Sequence, residues 1–200
     1  MMPIHFLGLL ILSYLLGSIP FGLVVARALK GPDPRSLGSG NPGAANLYRQ
    51  LGLKGGGLTL LGDALKGALP VLLARFWLIS PGPWHEAAVA LVGAAAVLGH
   101  VFPLYLGFKG GKGVATALGV VLALCPLAGL SLVLIYLAAL YQTRIFSLSA
   151  LIAAWLSPVA LGCFSASRAD LLLAGALSGL ILVRHRENLR RFFRGEEPRI

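Results

Sequence analysis

The chain is short of charge before anything else. Only 12% of its 200 residues are charged and 57% are hydrophobic, where ordinary soluble domains hold roughly 25% charged and 45–50% apolar residues. A soluble fold of this size buries only about two-thirds of the surface of its unfolded chain, so lipid is needed to cover the rest. Acidic residues are scarcest: seven against seventeen Lys and Arg, a formal charge of +10. The basic residues stand in short stretches between apolar runs, six of them in the last 17 residues. That distribution is a positive-inside bias and argues against a nucleic-acid partner. Cysteine is almost absent. Cys125 and Cys163 lie alone in apolar surroundings, without CxxC spacing or a His/Cys cluster, so neither a disulfide framework nor a metal site is implied. No Lys- or Arg-rich segment precedes the first apolar run, which is therefore expected to be a span and not a signal peptide.

Familiar catalytic signatures are missing as well. There is no G-x-S-x-G elbow or Ser-His-Asp order, and His5, His85, His100 and His185 all lack the Asp of an H-x-x-x-x-D box. Gly110-Gly111-Lys112-Gly113 lacks the Ser/Thr and the glycine spacing of an ATP-binding loop.

What is present is a series of apolar runs. Spans are expected at about Pro3–Ala26, Gly57–Ile79, Glu86–Leu106, Ser147–Phe164 and Ala169–Val183, with a 28-residue stretch, Val114–Tyr141, among them. A crossing takes ~20 residues, so that stretch is one tilted helix or two short ones turning at Cys125-Pro126. Two helices return Arg144 and the arginine-rich tail to the side of Arg27–Lys54 and Lys109–Lys112, which favours them. The expectation is an all-α integral membrane protein. Residues 1–200 form one domain, a compact bundle of about seven transmembrane helices, with the N-terminus outside and the C-terminus cytoplasmic. Small residues at Gly17-Ser18, Gly93–Ala96, Gly175-Ala176 and Ser178-Gly179 are expected to let helices approach closely.

The polar groups cluster on the expected cytoplasmic side. Gly38-Ser39-Gly40-Asn41-Pro42-Gly43 offers positive φ and free backbone N–H groups for an anion. Asn46 and Arg49 share a face if the chain turns helical after Pro42, and Arg49 is a fork of donors suited to phosphate. Lys109, Gly110, Gly111, Lys112 and Gly113 form a second such segment at the start of a helix. An ordinary interhelical loop and lysines that only mark topology are the competing readings. Asp63 and Lys66 stand i, i+3 inside a span, where ionisable groups are costly unless paired or facing a polar cavity. They pair with each other, line the site, or both. Arg75 is expected to snorkel to the outer interface. His100 reads equally as a buried histidine and as a functional one. His185 and Asn188 share a face where the last span ends, and Arg190, Arg191 and Arg194 are suited to anionic lipid. Glu196 and Glu197 follow Gly195 in this basic tail.

Ser18–Gly22, Gly38–Asn46, Asp63 with Lys66-Gly67, Gly99-His100, Phe108–Thr116, and Arg184–Asn188 followed by Gly195 and Glu197 occur in one order along the chain. In this ordered set the chain resembles the bacterial acyl-phosphate:glycerol-3-phosphate acyltransferases, the PlsY-type family. It departs from the usual pattern at Ala45, where a threonine is common, and no charged ligand is lost by that change. The resemblance implies transfer of a fatty acyl group from acyl phosphate to the 1-hydroxyl of sn-glycerol 3-phosphate. The products are 1-acylglycerol 3-phosphate (lysophosphatidic acid) and inorganic phosphate, made at the cytoplasmic face of the bacterial inner membrane. It also implies that Ser39, Asn46, Arg49, Lys112, His185, Asn188 and Glu197 line the substrate cavity.

The partners expected are the two substrates and membrane lipid, with no cofactor and no metal. A monomer and contact with the acyl-phosphate-producing enzyme complete the expectation. Lys112 and the glycine-loop N–H groups are assigned to acyl phosphate, and Arg49, Lys66 and His185 to glycerol phosphate. The reverse assignment stays open. Ser39 and Asn46 are expected to donate near the reacting carbonyl, and the proton goes to a phosphate oxygen or to His185. A transporter for a phosphorylated solute would need ligands on both membrane faces. A scaffold would leave the phosphate-like clusters without a purpose.

Overall fold

The computed structural model describes residues 4–78, 83–165 and 167–200. The expected span limits Pro3 and Ile79 lie outside the described residues. All regular structure among the described residues is helical. The chain divides into two compact units, Met1–Val120 and Val121–Ile200.

The first unit contains α1 (Ile4–Gly17), α2 (Phe21–Ala28), α3 (Ala44–Trp77), α4 (Pro83–Val101), a 3₁₀ turn (Leu104–Leu106) and most of α5 (Val114–Leu124). The expected first span is broken. Gly17 ends α1, Pro20 has no N–H to continue a helix, and the axes of α1 and α2 differ by 44°. Ser18, wholly buried, stitches the elbow. Its Oγ donates to the Tyr14 carbonyl at 2.9 Å and accepts from the Leu104 N–H at 3.3 Å. The second expected span starts early: α3 begins at Ala44, just after Pro42 and the extended Gly43, and is interrupted at Gly52 (φ 64°, ψ −161°). Asn46 and Arg49 therefore ride on a helical segment, as the sequence predicts.

Helices in this unit meet backbone to backbone. A Cβ on Gly17 would overlap the Ala96 carbonyl of α4, and one on Gly99 would overlap the Tyr14 carbonyl of α1. The same relation holds for Gly67 against Thr116 and Gly119 against Ala64, joining α3 to α5. The expected close approach at Gly17 and Ala96 is present.

The second unit holds the end of α5 with α6 (Pro126–Thr143), α7 (Phe146–Phe164), α8 (Arg168–Arg184) and α9 (Arg186–Phe193). The Val114–Tyr141 stretch is two helices. Cys125 is extended (φ −145°, ψ 97°) with Pro126 at the first position of α6, because the residue before a proline is pushed out of the helical region. Gly175 and Gly179 depart from expectation: a Cβ on either would meet nothing within 4 Å. Neither is a contact point. Ser178 makes the α7–α8 connection instead, its Oγ donating to the Ala154 carbonyl and lying 3.1 Å from Ser157 Oγ.

Among the described residues four helices, at 44–77, 84–106, 126–143 and 146–164, are long and apolar enough to cross a membrane. They become five when α1 and α2 count as one bent span. Helices α5 and α8, with 11 and 17 residues, are shorter.

Candidate active site

The first glycine-rich segment is organised by one buried side chain. Asn46, 2% exposed, gives its amide hydrogens to the carbonyls of Pro34 (2.9 Å), Leu37 (3.2 Å) and Asn41 (2.9 Å). Its Oδ1 accepts from the Ser39 N–H at 3.3 Å. The loop can wrap Asn46 this tightly because Gly38 and Gly40 take positive φ, 59° and 66°; a Cβ on Gly38 would overlap Asn46 Oδ1. Two expectations change. The N–H groups of Ser39, Gly40 and Gly43 are not free for an anion: they are spent on Asn46, the Leu37 carbonyl and Asn41 Oδ1. Asn46 itself gives its donors to its own loop, because a buried amide must satisfy its hydrogens. Ser39 and Arg49 stay exposed. Arg35 is engaged by Asp33, whose carboxyl is held down at about 2 by hydrogen bonds from the Arg35 side chain and backbone.

The second segment folds back on the end of α4. The N–H groups of Gly110 and Gly111 donate to the carbonyls of Val101 (3.2 Å) and His100 (3.1 Å). They too are unavailable to a phosphate, because the last carbonyls of α4 need donors. Downstream lies the first turn of α5, whose first α-helical bond runs from the Ala117 N–H to the Gly113 carbonyl, so the amides of residues 114–116 have no acceptor within that helix. Gly113 (φ 88°) makes the turn into that helix. Lys112 immediately precedes it, half-buried, and Lys109 is exposed.

Between these segments lies a cavity of about 10 Å³, room for about one water molecule. Ser18 to Gly22, Pro42, Asp63, Lys66, His100, Gly110 and Gly111 are among its lining residues. Lys66 Nζ stands 2.8 Å from Asp63 Oδ1 and donates to the Ile19 carbonyl at 2.7 Å. His100 Nδ1 is 3.5 Å from the same Asp63 oxygen. The structure thus brings Asp63, Lys66, His100, Gly110 and Gly111 together within one unit.

In the second unit, His185 is 3% exposed at the junction of α8 and α9. Its Nδ1 lies 2.8 Å from the Ile181 carbonyl. A carbonyl only accepts, so Nδ1 carries the proton and a neutral ring has its lone pair on Nε2. Gly195 (φ 72°) reverses the chain after α9, with the Glu196 N–H on the Arg191 carbonyl, a glycine-terminated helix end. The reversal delivers Glu197 to Ser147 Oγ (2.6 Å), Asn188 Nδ2 (2.6 Å) and Arg191 Nε (2.8 Å). Burial opposes ionisation of Glu197, yet these three donors outweigh it and hold its carboxyl below the ordinary value. Arg191, expected on lipid, is taken by this carboxylate. Ser147 had no signal in sequence: a lone serine 50 positions from Glu197 in an apolar helix cannot be singled out. An apolar groove of about 360 Å³ runs along α7, α8 and α9, lined by Leu148, Leu151, Trp155, Leu182 and Leu189.

A family model described as glycerol-3-phosphate acyltransferase matches residues 7–195. The glycerol-3-phosphate acyltransferase of Halorhodospira halophila is 48% identical over 96% of this chain and 95% of its own. That of Thioalkalivibrio sulfidiphilus is 49% identical over 94% and 90%. Two crystal structures of PlsY (YgiH), an integral membrane glycerol 3-phosphate acyltransferase, superpose closely. Its glycerol 3-phosphate form has a TM-score of 0.90 at 43% identity, covering 98% of this chain and 96% of that one. Its lysophosphatidic acid form has 0.88 at 42%, covering 98% and 95%. With a match over nearly its whole length, this chain belongs to the glycerol-3-phosphate acyltransferase family, membrane-embedded transferases of phospholipid biosynthesis.

Proposed function

We propose that the protein transfers a fatty acyl group from acyl phosphate to the 1-hydroxyl of sn-glycerol 3-phosphate. The observation that carries this reading is the half-buried Lys112 set directly before the first turn of α5, whose first α-helical bond starts only at the Ala117 N–H. That arrangement suits a phosphorylated substrate. Relatives crystallised in glycerol 3-phosphate and lysophosphatidic acid forms support the acceptor and the product.

In the proposed reaction the hydroxyl oxygen attacks the acyl carbonyl carbon, the carbon–oxygen bond to phosphate breaks, and inorganic phosphate leaves. The hydroxyl proton passes to an oxygen of the departing phosphate, so no covalent enzyme intermediate is needed. Lys109, Lys112 and the first-turn amides of α5 hold the acyl phosphate and Arg49 holds glycerol phosphate; in the second unit His185 offers a further phosphate ligand. Ser39 donates to the carbonyl oxygen as charge develops there, on a loop whose path Asn46 sets through Gly38, Gly40, Asn41 and Gly43. Asn188 contacts substrate with an amide aimed by Glu197. Binding both reactants in register supplies much of the rate advantage.

Residues 1–200 act as one acyltransferase domain, since the family match runs through both units. The seven apolar segments (α1–α2 together, then α3 to α8) each traverse or enter the bilayer, with the N-terminus outside and the basic tail in the cytoplasm. The protein works as a monomer in the bacterial inner membrane with its site on the cytoplasmic side. It receives its donor from the enzyme that makes acyl phosphate.

The test is transfer from synthetic palmitoyl phosphate to labelled glycerol 3-phosphate by purified protein in lipid, beside palmitoyl-CoA and acyl-carrier-protein donors. Lysophosphatidic acid from acyl phosphate alone is the expected outcome. Product from a thioester donor overturns the donor assignment, and no product from any donor overturns the reaction.

A further inference from the structure

We infer that Asp63, Lys66 and His100 form a buried clamp that holds the second glycine-rich loop against the α1–α2 elbow, and that none of the three touches substrate. The inference rests on the acyltransferase reading and deepens it by separating the groups that bind phosphate from the groups that place them.

Lys66 carries the first part of the argument. Its side chain is 4% exposed, as is that of Asp63. An ammonium has three hydrogens. The Ile19 carbonyl takes one at 2.7 Å, Asp63 Oδ1 pairs with the charge at 2.8 Å, and the Phe21 ring lies 5.9 Å from the nitrogen. Ile19 stands in the break between α1 and α2, where helical hydrogen bonding is interrupted. Lys66 supplies that carbonyl with a donor in a region where water is scarce. Its directions are used inward, toward the elbow.

His100 carries the second part. Its Nδ1 lies 3.5 Å from the oxygen of Asp63 that meets Lys66. The other edge of the ring packs on the loop so closely that a Cβ on Gly111 would overlap Nε2. Next to it, a Cβ on Gly110 would overlap the His100 carbonyl and the Pro103 ring. The loop is therefore moulded on His100, and Lys112 is the next residue along. A displacement of Lys66 reaches Lys112 through Asp63, His100 and Gly111, with each link a contact described above.

Two kinds of measurement test the clamp. Amide hydrogen exchange of residues 104–114 needs no turnover. In Lys66→Met it should accelerate at least tenfold, although Lys66 has no contact with those amides; unchanged exchange overturns the clamp whether or not the protein is an acyltransferase. Steady-state kinetics with palmitoyl phosphate and glycerol 3-phosphate then separate the roles. Wild-type inactivity sinks the reaction and leaves the exchange result standing. With active wild type, Lys66→Met should lose at least tenfold in kcat, with both KM values within threefold. A tenfold rise in KM for glycerol 3-phosphate at constant kcat makes Lys66 a substrate ligand and overturns the inference. The loop end offers an independent check should Lys66→Met fold poorly. His100→Ala should relieve Gly111→Ala, restoring turnover to the level of His100→Ala alone, and should not relieve Gly110→Ala, whose obstacle is backbone. A double variant no better than Gly111→Ala refutes the packing on which the clamp depends.

Discussion

In residues 1–120 the strongest electrostatic cluster, Asp63 with Lys66 and His100, is sealed among helices, and glycines are the points where backbones touch. In residues 121–200 the strongest cluster, Glu197 with Arg191, Asn188 and Ser147, is built by a tail beyond the last helix. There Gly175 and Gly179 face open space. Charge pairing and close backbone packing coincide in the first unit and are separate in the second. A substitution in the first unit should thus disturb several contacts at once, whereas the second should tolerate change in its helices and be sensitive at its tail.

The largest expected effect is at Asp63. Asp63→Ala leaves Lys66 buried without its counter-charge, a loss of about 3–5 kcal/mol that thermal unfolding in detergent would register. A small shift would mean that the buried cluster is not the structural centre of the first unit. Next comes Glu197, where donors to a charged acceptor are worth roughly 1.5–3 kcal/mol each. Because its folded carboxyl lies below the ordinary value, near 4.5, its contribution is full above that value. It fades as pH falls through the lower, folded value. Unfolding followed across pH 3 to 6 (roughly the carboxylate range) should show this loss in wild type and not in Glu197→Gln; parallel curves would remove Glu197 from the stability of the tail.

The glycines sharpen the contrast further. Gly99→Ala forces a Cβ into the Tyr14 carbonyl and should cost about 1–3 kcal/mol as overpacking. Gly175→Ala, the smallest effect, has room and should be neutral or gain up to about 1 kcal/mol from helix propensity. Equal melting temperatures for these two variants would erase the distinction between the units.

Much of this was legible in the chain. Pro126 told where the long apolar stretch divides, because its steric demand on Cys125 is local. Pro42 told where α3 could begin for the same reason. The spacing of Asp63 and Lys66 gave their mutual pairing, since i, i+3 residues share a helix face. The partners beyond that pair were not legible. That Lys66 would meet Ile19, or His100 would meet Gly111, depends on how helices cross, which no local pattern encodes. The glycine segments misled in a specific way. Composition showed that their backbone could bend, but it did not show that the bent loops would consume their own N–H groups on Asn46 and on the end of α4. Gly175 and Gly179 misled similarly, since a small residue permits a contact without requiring one.

The elbow at Ser18–Pro20 has a consequence for how such a chain can change. A straight helix through this point would give the Ile19 carbonyl an intrahelical donor and leave the Lys66 ammonium without one of its acceptors. A chain that kept the break but lost the lysine would leave that carbonyl to the Phe21 N–H and strip the buried Asp63 carboxylate of its ammonium. Pro20, Lys66 and Asp63 are far apart in their local roles, yet a change at any one alters what the other two must satisfy. In a mutational landscape they form a single locus with three addresses, and a repacked, uncharged version of this membrane interior requires the lysine and the aspartate to change together.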